Sequence, residues 1–320
     1  MEFYGTLGPA CQRAETLADM ARRGMTGVRL NLSHRPLPQA AEALEALDRA
    51  RTLSAVPLTL LIDMQGPELR IGSLPEPLTL AEGAAVPLAA LALPQALREQ
   101  LMPGQELLLD DGKLLVELLD RDRARVLRGG VLQSRKSVAA PGLTLRLPPM
   151  TEDDRAGIAM AAAAGVTGLM QPFVRGRDDL EAVRAALDAA GAAQVRLMAK
   201  LENREGLARL PELLAGSDEL IIARGDLGNA IPLWQLPGVQ KRVARRCREA
   251  GRPFMVVTQL LASMEERAVP TRAEVSDVFN AVLDGASSLM LTGETAVGRH
   301  PVEAMEVLVR TAQEALAFTD

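Results

Sequence analysis

Two short apolar runs, each followed at once by charged residues, limit most strongly the folds open to this chain. Residues 195–199 lead into Lys200 and Glu202, and residues 219–223 lead into a turn that contains Asp226. A helix-like segment separates the two runs, so the pair is typical of a βαβ unit with parallel strands. Because parallel strands end at the same edge of a sheet, we expect Glu202 and Asp226 to meet there.

The residues at this edge are suited to binding a metal and an anion. Two carboxylates beside a lysine offer oxygen ligands to a divalent cation such as Mg²⁺, which commonly shares its coordination with a phosphorylated substrate. Gly225 and Gly228 flank Asp226 and leave backbone N–H groups uncovered at the start of a helix. Taken singly, Lys200 with Glu202 is equally well explained as a surface ion pair, and Arg-Gly-Asp as a turn. Their joint position at adjacent strand ends favours a functional site over these two structural explanations.

The same alternation of an apolar run with a helix-like segment recurs along most of the chain. Strands are predicted over residues 3–7, 27–32, 57–63, 167–171, 195–199, 219–223, 254–257 and 287–291. Helices are predicted over 15–23, 38–51, 178–190 and 301–316, and from the N-cap Thr151 to Ala164. About eight strands alternating with helices predict an α/β fold, a (β/α)8 TIM barrel.

This alternation of strands and helices is interrupted between residues 71 and 147. Short β-like pieces separated by turns cover residues 78–80, 106–109, 114–119, 125–127 and 131–132. This pattern predicts a small β-rich domain inserted after strand 3. The predicted domains are therefore residues 1–70 with 148–320 as a catalytic barrel, and residues 71–147 as the insert.

Composition agrees with helices packed on a sheet and argues against several other classes. Hydrophobic residues make up 48% of the chain and aromatic residues only 2%, so the core must consist of Ala, Leu, Val and Met. The net charge of −5, with both signs interspersed, predicts no nucleic-acid partner. Cys11 and Cys247 lie far apart, which indicates no disulfide framework and a cytoplasmic setting. The N-terminal residues do not show the pattern of a secretory leader, so secretion is not predicted. Prolines interrupt the longest apolar run, so a membrane helix is not predicted either.

Two further strand ends carry polar residues. Strand 2 and the residue after it carry polar side chains at alternate positions, Arg29, Asn31 and Ser33, which therefore share one face. Burying these polar groups inside a barrel is costly unless they bind a ligand. The alternative to a binding role is that these three residues lie on an exposed rim of the strand. His34 either opens the next loop or contacts a nucleotide. Strand 3 ends at Asp63 before a Gly-Pro turn, which places another carboxylate at the same edge.

The sequence at these strand ends resembles the pyruvate kinase family. The matching segments are TLGPA, VRLNLSH, DMQGPELRIG, VRLMAKLENREGL, IIARGDLG, VVTQLLASM, PTRAEVSDVFNAVLDGA and LTGETA, in the family's own order. The resemblance implies a β-rich lid that closes on the nucleotide. It implies a glycolytic phosphotransferase that converts phosphoenolpyruvate and ADP to pyruvate and ATP. It also implies Mg²⁺ (or Mn²⁺) and K⁺ as cofactors, and allows a homo-oligomer through the barrel helices.

The resemblance assigns roles to individual residues. The catalytic residues would be Lys200, Arg29, Thr258, Thr292 and Arg70. Substrate binding would fall to Gly225, Asp226, Thr258 and Lys200, and nucleotide binding to Pro9, His34 and Lys136. The divalent metal would be held by Glu202 and Asp226, and K⁺ by Asn31, Ser33, Asp63 and Met64. Glu68 matches the residue associated with K⁺-dependent members.

The chain also departs from the family pattern. Arg146 stands where a lid-hinge Asp is frequent, and Arg35 follows His34 where Gly is usual. The sequence ends after the eighth helix, so the C-terminal regulatory domain is expected to be absent and phosphoenolpyruvate kinetics to be hyperbolic. Two alternatives stay open: another Mg²⁺-dependent phosphoenolpyruvate/pyruvate barrel enzyme, such as an aldolase or lyase, and a non-catalytic metabolite-binding relic.

Overall fold

The computed structural model of the protein describes residues 1–110, 112–143 and 147–319. Arg146, at the predicted lid hinge, lies outside these residues. The chain divides into two compact units, residues 1–66 with 149–320, and residues 67–148. Over the described ranges, no helix has both the length and the apolar character needed to cross a membrane.

The strands alternate with helices in the first unit and are nearly continuous in the second. In chain order the strands are β1 (Glu2–Thr6), β2 (Gly27–Asn31), β3 (Thr59–Asp63), β4 (Leu78–Leu80), β5 (Ala85–Pro87), β6 (Glu106–Leu109), β7 (Leu114–Leu118), β8 (Arg123–Arg128), β9 (Gly130–Leu132), β10 (Val138–Ala139), β11 (Gly168–Gln171), β12 (Arg196–Leu201), β13 (Glu219–Ala223), β14 (Phe254–Val257) and β15 (Ser288–Leu291). The α-helices are α1 (Ala14–Arg22), α2 (Ala41–Ser54), α3 (Gln95–Arg98), α4 (Glu152–Met160), α5 (Arg177–Ala189), α6 (Arg204–Ala208), α7 (Leu210–Gly216), α8 (Arg224–Ala230), α9 (Leu236–Glu249), α10 (Arg272–Leu283), α11 (Gly293–Ala296) and α12 (Pro301–Thr319).

Eight parallel strands close the first unit into a barrel, in the order β1-β15-β14-β13-β12-β11-β3-β2. All eight neighbouring pairs are parallel. Their C-terminal ends therefore open on one side, which we call the mouth, and their N-terminal ends form the floor. The predicted (β/α)8 barrel is confirmed, with strand boundaries within two residues of those expected from the apolar runs.

Helix α4 shows why its start was easier to predict than its end. The Thr151 hydroxyl accepts a hydrogen bond from the Asp154 N–H, and the Asp154 carboxylate accepts one from the Thr151 N–H, which completes a capping box. The helix ends at Met160, before the predicted Ala164. Gly165 follows with φ +67°, a left-handed conformation that turns the chain toward β11.

Methionine fills much of the barrel interior. The inward core contains Met170, Met198, Met255 and Met290 together with Tyr4, Leu61, Ile221, Ala223 and Val257. Unbranched, flexible side chains can fill the irregular space between strands that aromatic residues occupy in other proteins. A larger apolar layer of mainly Leu, Val and Ala lies between the strands and the surrounding helices.

The second unit consists of small antiparallel sheets around its own apolar core. One sheet has the order β10-β6-β7-β8-β5, and a second pairs β4 with β9. Most of its strands lie where the sequence pattern predicts them, but β5, β10 and helix α3 do not appear in that pattern. These elements are two to four residues long, too short to show a period.

Polar side chains close the floor of the barrel around Tyr4. The Tyr4 hydroxyl donates to Glu2 Oε2 at 2.9 Å and accepts from Arg196 Nη2 at 2.9 Å. Arg196 also lies 3.1 Å from Glu2 and 3.5 Å from the buried Glu219, which accepts from the Ser288 hydroxyl at 2.6 Å. Burial is the main cause that raises the pKa of Tyr4 to about 12.

We expect this tyrosine to make the barrel sensitive to high pH. A tyrosine in the unfolded chain has a pKa of about 10. Because the folded pKa is higher, the stabilisation is fully present below about pH 10. About 3 kcal/mol of it is lost as the pH rises through the folded pKa. Tyr4 is the only tyrosine in the chain, so ultraviolet absorbance of tyrosinate follows it directly.

The folded protein should titrate with a midpoint well above that of the urea-unfolded protein. The variant Tyr4→Phe should show a flatter dependence of the free energy of unfolding on pH above pH 10. A midpoint near 10 in the folded protein would contradict the burial of this phenol.

Candidate active site

Four charged side chains form one connected cluster at the mouth. They are Arg29 on β2, Asp63 at the end of β3, Lys200 on β12 and Glu202 just after it. Asp63 Oδ2 accepts from Arg29 Nε at 2.9 Å and from Lys200 Nζ at 3.2 Å. Lys200 Nζ also lies 2.9 Å from Glu202 Oε1. The barrel brings these residues together from strands that are not all neighbours, since β11 lies between β3 and β12.

Asp63 is the centre of this cluster and is only 1% exposed. Burial on its own would raise the pKa of Asp63, but the charges of Lys200 and Arg29 outweigh it and hold that pKa below its usual value. The carboxylate therefore stays ionised and fixes both cations in place.

Lys200 is held as a cation by three carboxylates. Burial favours a lower pKa for Lys200, yet the negative charges of Asp63, Glu202 and Asp226 raise that pKa well above its usual value. The influence of Asp226 on Lys200 also places Asp226 in the electrostatic range of the cluster. Lys200 is therefore a permanent positive charge at the mouth.

Glu202 presents an oxygen that protein hydrogen bonds do not saturate. Its Oε2 accepts from the Phe173 N–H at 2.7 Å. Its Oε1 is buried and lies at ion-pair distance from Lys200, but the angle is not that of a hydrogen bond. Phe173 has φ +53°, which is unusual for a bulky residue and aims its N–H at the carboxylate. An oriented carboxylate with an under-used oxygen fits a metal ligand.

The charges at the mouth also fit a divalent cation. Arg29 and Lys200 are opposed by Asp63, Glu202 and Asp226, which leaves one net negative charge. An anionic substrate would be repelled until a divalent cation reversed that sign. Across the residues that the structure describes, no group of three or more His, Cys, Asp or Glu side chains could enclose a metal. Mg²⁺, which usually retains water and substrate oxygens, suits such an open site.

Gly225 and Thr258 lie side by side at the ends of β13 and β14. The Gly225 N–H donates to Thr258 Oγ1 at 2.9 Å. A Cβ added to Gly225 would lie in ordinary van der Waals contact with the Thr258 side chain, at 3.7 Å, so the two residues pack directly against each other. The Thr258 hydroxyl in turn donates to the Val257 carbonyl at 2.5 Å, so a ligand carboxylate bound here would replace the present acceptors of both donors.

The oxygens predicted to bind K⁺ lie at the ends of β2 and β3. Asn31 pairs with Asp63 in the register of these strands. Asn31 Oδ1 accepts from the Ser33 N–H at 3.1 Å, and the Asp63 carbonyl accepts from the Leu32 N–H at 2.9 Å. Asn31, Ser33 and Asp63 are thus brought together, with Met64 buried beside them. A monovalent cation would share the Asp63 carboxylate with Arg29 and Lys200.

The remaining predicted residues fall into three places. Thr292 directly follows β15, and its N–H donates to Glu294 Oε2 at 2.8 Å. Pro9 is exposed after β1, and His34 lies in the turn after β2. Arg70 and Lys136 belong to the second unit, where Arg70 pairs with Glu68 at 2.9 Å and Lys136 with Asp110 at 2.9 Å.

Sequence reasoning missed several residues that support the site. Asp154 accepts hydrogen bonds from the N–H groups of Gln65 at 2.8 Å and Gly66 at 2.9 Å, and so holds the loop after Asp63. Glu294 accepts from Leu261 N–H at 3.1 Å and links the loops after β14 and β15. For Asp154 the only signal in the sequence was its capping position.

Comparison with known proteins agrees with this geometry. The family model described as pyruvate kinase, barrel domain, matches residues 2–305. Pyruvate kinases from Geobacillus stearothermophilus, Aeropyrum pernix and Methylorubrum extorquens are 35%, 36% and 39% identical to this chain, each over 98% of it. The chain spans 57% of the length of the first relative, 70% of the second and 68% of the third. The chain belongs to the pyruvate kinase family.

Proposed function

We propose that this protein is a pyruvate kinase that transfers the phosphoryl group of phosphoenolpyruvate to ADP. The observation that carries the proposal is the buried chain of ion pairs from Arg29 through Asp63 and Lys200 to Glu202 at the barrel mouth. Four charges in a cluster with two fully buried carboxylates are costly, and such perturbed charged groups concentrate at functional sites. Phosphoryl transfer requires positioned positive charge rather than a covalent nucleophile, and this cluster supplies it.

In this proposal each charged residue of the cluster has a defined role. Lys200 and Arg29 bind the phosphoryl oxygens, and Asp63 keeps both cations in position. The Gly225 N–H and the Thr258 hydroxyl bind the substrate carboxylate, which replaces Thr258 Oγ1 as the acceptor for the N–H and the Val257 carbonyl as the acceptor for the hydroxyl. Glu202 and Asp226 would hold Mg²⁺ or Mn²⁺. The bound metal would neutralise charge on the transferred group and on the enolate.

The reaction consumes one proton from the solvent in addition to phosphoenolpyruvate and ADP. The P–O bond to the enol oxygen breaks, and a new P–O bond forms to a β-phosphate oxygen of ADP. The enolate then takes a proton and becomes pyruvate. Thr292 is proposed to lie near the substrate, and Asn31, Ser33, Asp63 and the Met64 carbonyl to bind K⁺. The family resemblance alone supports two further roles. It assigns Arg70 to phosphate binding, and it assigns Pro9, His34 and Lys136 to nucleotide binding.

Pyruvate formation from phosphoenolpyruvate, measured with and without ADP at saturating Mg²⁺ and K⁺, tests this function. We expect pyruvate and ATP in equal amounts, only when ADP is present, and a lower rate when tetramethylammonium replaces K⁺. Lys200→Met should lower kcat by about 100-fold or more, the scale for losing one preorganised charge.

Lys241→Met is the matched control for this variant. Lys241 lies on α9 and pairs with Asp284 at 2.8 Å, so its loss should leave turnover near that of the wild type. Pyruvate released at the same rate without ADP, or full activity in Lys200→Met, would contradict the proposal.

The proposed metal ligand gives a second prediction. Glu202→Gln should weaken Mn²⁺ binding, measured by electron paramagnetic resonance without substrates, by about tenfold or more, since even partners of metal ligands typically contribute that much. Glu219→Gln is the control, because Glu219 is an equally buried carboxyl at the floor. Equal Mn²⁺ affinity in wild type and Glu202→Gln would show that Glu202 is not a ligand.

A further inference from the structure

The backbone after β14 adopts an unusual conformation at the site. Thr258 has φ +70° and Gln259 has φ +53°. A left-handed conformation is rare for any residue other than glycine and is a true outlier for a β-branched one. Two such residues in succession persist only where the surrounding structure determines them. The conformation matters because it directs the Thr258 hydroxyl toward the Gly225 N–H, 2.9 Å away.

One buried arginine holds both strained residues. Arg224, the first residue of α8, is 9% exposed. It donates to the Thr258 carbonyl from Nε at 3.2 Å and from Nη2 at 2.8 Å, and to the Gln259 carbonyl from Nη2 at 3.1 Å. These charge-assisted bonds to two successive carbonyl groups offset the backbone strain.

Asp277 on α10 fixes the orientation of that arginine. Arg224 Nη1 donates to Asp277 Oδ1 at 2.8 Å and lies 2.6 Å from Oδ2. All three guanidinium nitrogens therefore have protein acceptors. An arginine engaged in this way is not available to bind substrate, although it is the first residue of the Arg-Gly-Asp segment. It connects β13, the loop after β14 and α10 at a single point.

We propose that Arg224 and Asp277 form a clamp that positions Thr258 and Gln259, and through them the binding site for the substrate carboxylate. The binding of a substrate carboxylate at Thr258 rests on the proposed function. The hydrogen bonds by which Arg224 positions the backbone of Thr258 and Gln259 do not depend on it. The clamp acts on substrate binding, because its contacts are made before any bond is broken. Loss of the clamp should therefore raise KM more than it lowers kcat.

Asp277→Asn and Arg224→Lys test the clamp with conservative changes. The first removes the anchoring charge, and the second removes the planar fork that reaches two carbonyl groups. Each variant should raise KM for phosphoenolpyruvate about tenfold, the scale of one charge-assisted hydrogen bond. Because Glu202 is untouched, kcat should fall less than threefold and Mn²⁺ affinity should be unchanged.

Asp284→Asn is the matched control, since Asp284 caps α10 and pairs with Lys241 away from Thr258. It should leave KM unchanged. Wild-type KM in both clamp variants, or an equal rise in the control, would overturn the proposal.

A crystal structure of Arg224→Met provides a readout that does not depend on activity. Thr258 should leave the left-handed region in this variant, and retention of its positive φ would also overturn the clamp. If the wild type transfers no phosphoryl group but Thr258 still moves in Arg224→Met, the proposed function is wrong and the clamp stands. Should Arg224→Met fail to fold, the same φ is measured in Asp277→Asn.

Discussion

The organisation of the mouth depends on the buried carboxylate of Asp63. It is 1% exposed and joins the guanidinium of Arg29 to the ammonium of Lys200. A buried charge is tolerated only when its partners are well placed, and removing one partner leaves the others uncompensated. The geometry of three strands is therefore tied to a single side chain. The same arrangement keeps two positive charges fixed before any substrate arrives, which is the form of electrostatic stabilisation that lowers a barrier most effectively.

Polar contacts to the backbone hold the loops around this centre, beside the apolar packing of buried loop residues such as Met64, Val174 and Leu260. Asp154 binds the backbone after β3, Phe173 donates to Glu202, and Arg224 binds the backbone after β14. Backbone N–H and C=O groups in these loops lie outside the ladder of the barrel strands, so side-chain hydrogen bonds satisfy and fix them. Several of these contacts impose left-handed backbone at residues other than glycine, including Phe173 and Thr258. Such local strain at a site is commonly maintained by the surrounding structure.

Much of the barrel could be predicted from the sequence, because buried parallel strands appear as apolar runs and each strand end shows its polar residues directly. Lys200, Glu202 and Asp63 could be recognised in this way. The supporting residues could not, because their roles depend on contacts between distant segments. Arg224 and Asp277 are 53 residues apart and Gln65 and Asp154 are 89 apart, and nothing in their local sequence indicates the pairing. In the second unit the missed strands contain only two or three residues, and turn contacts rather than periodicity define them.

The most direct test of the central role of Asp63 is a double-mutant cycle of kcat/KM with Asp63→Asn, Lys200→Met and the double variant, at saturating metal ions. If Asp63 acts by holding Lys200 and Arg29, the two changes damage one unit and their effects are strongly non-additive. We predict that Asp63→Asn alone lowers kcat/KM by about 100-fold, and that adding it to Lys200→Met costs less than about tenfold more. Fully additive losses, or wild-type activity in Asp63→Asn, would contradict this account.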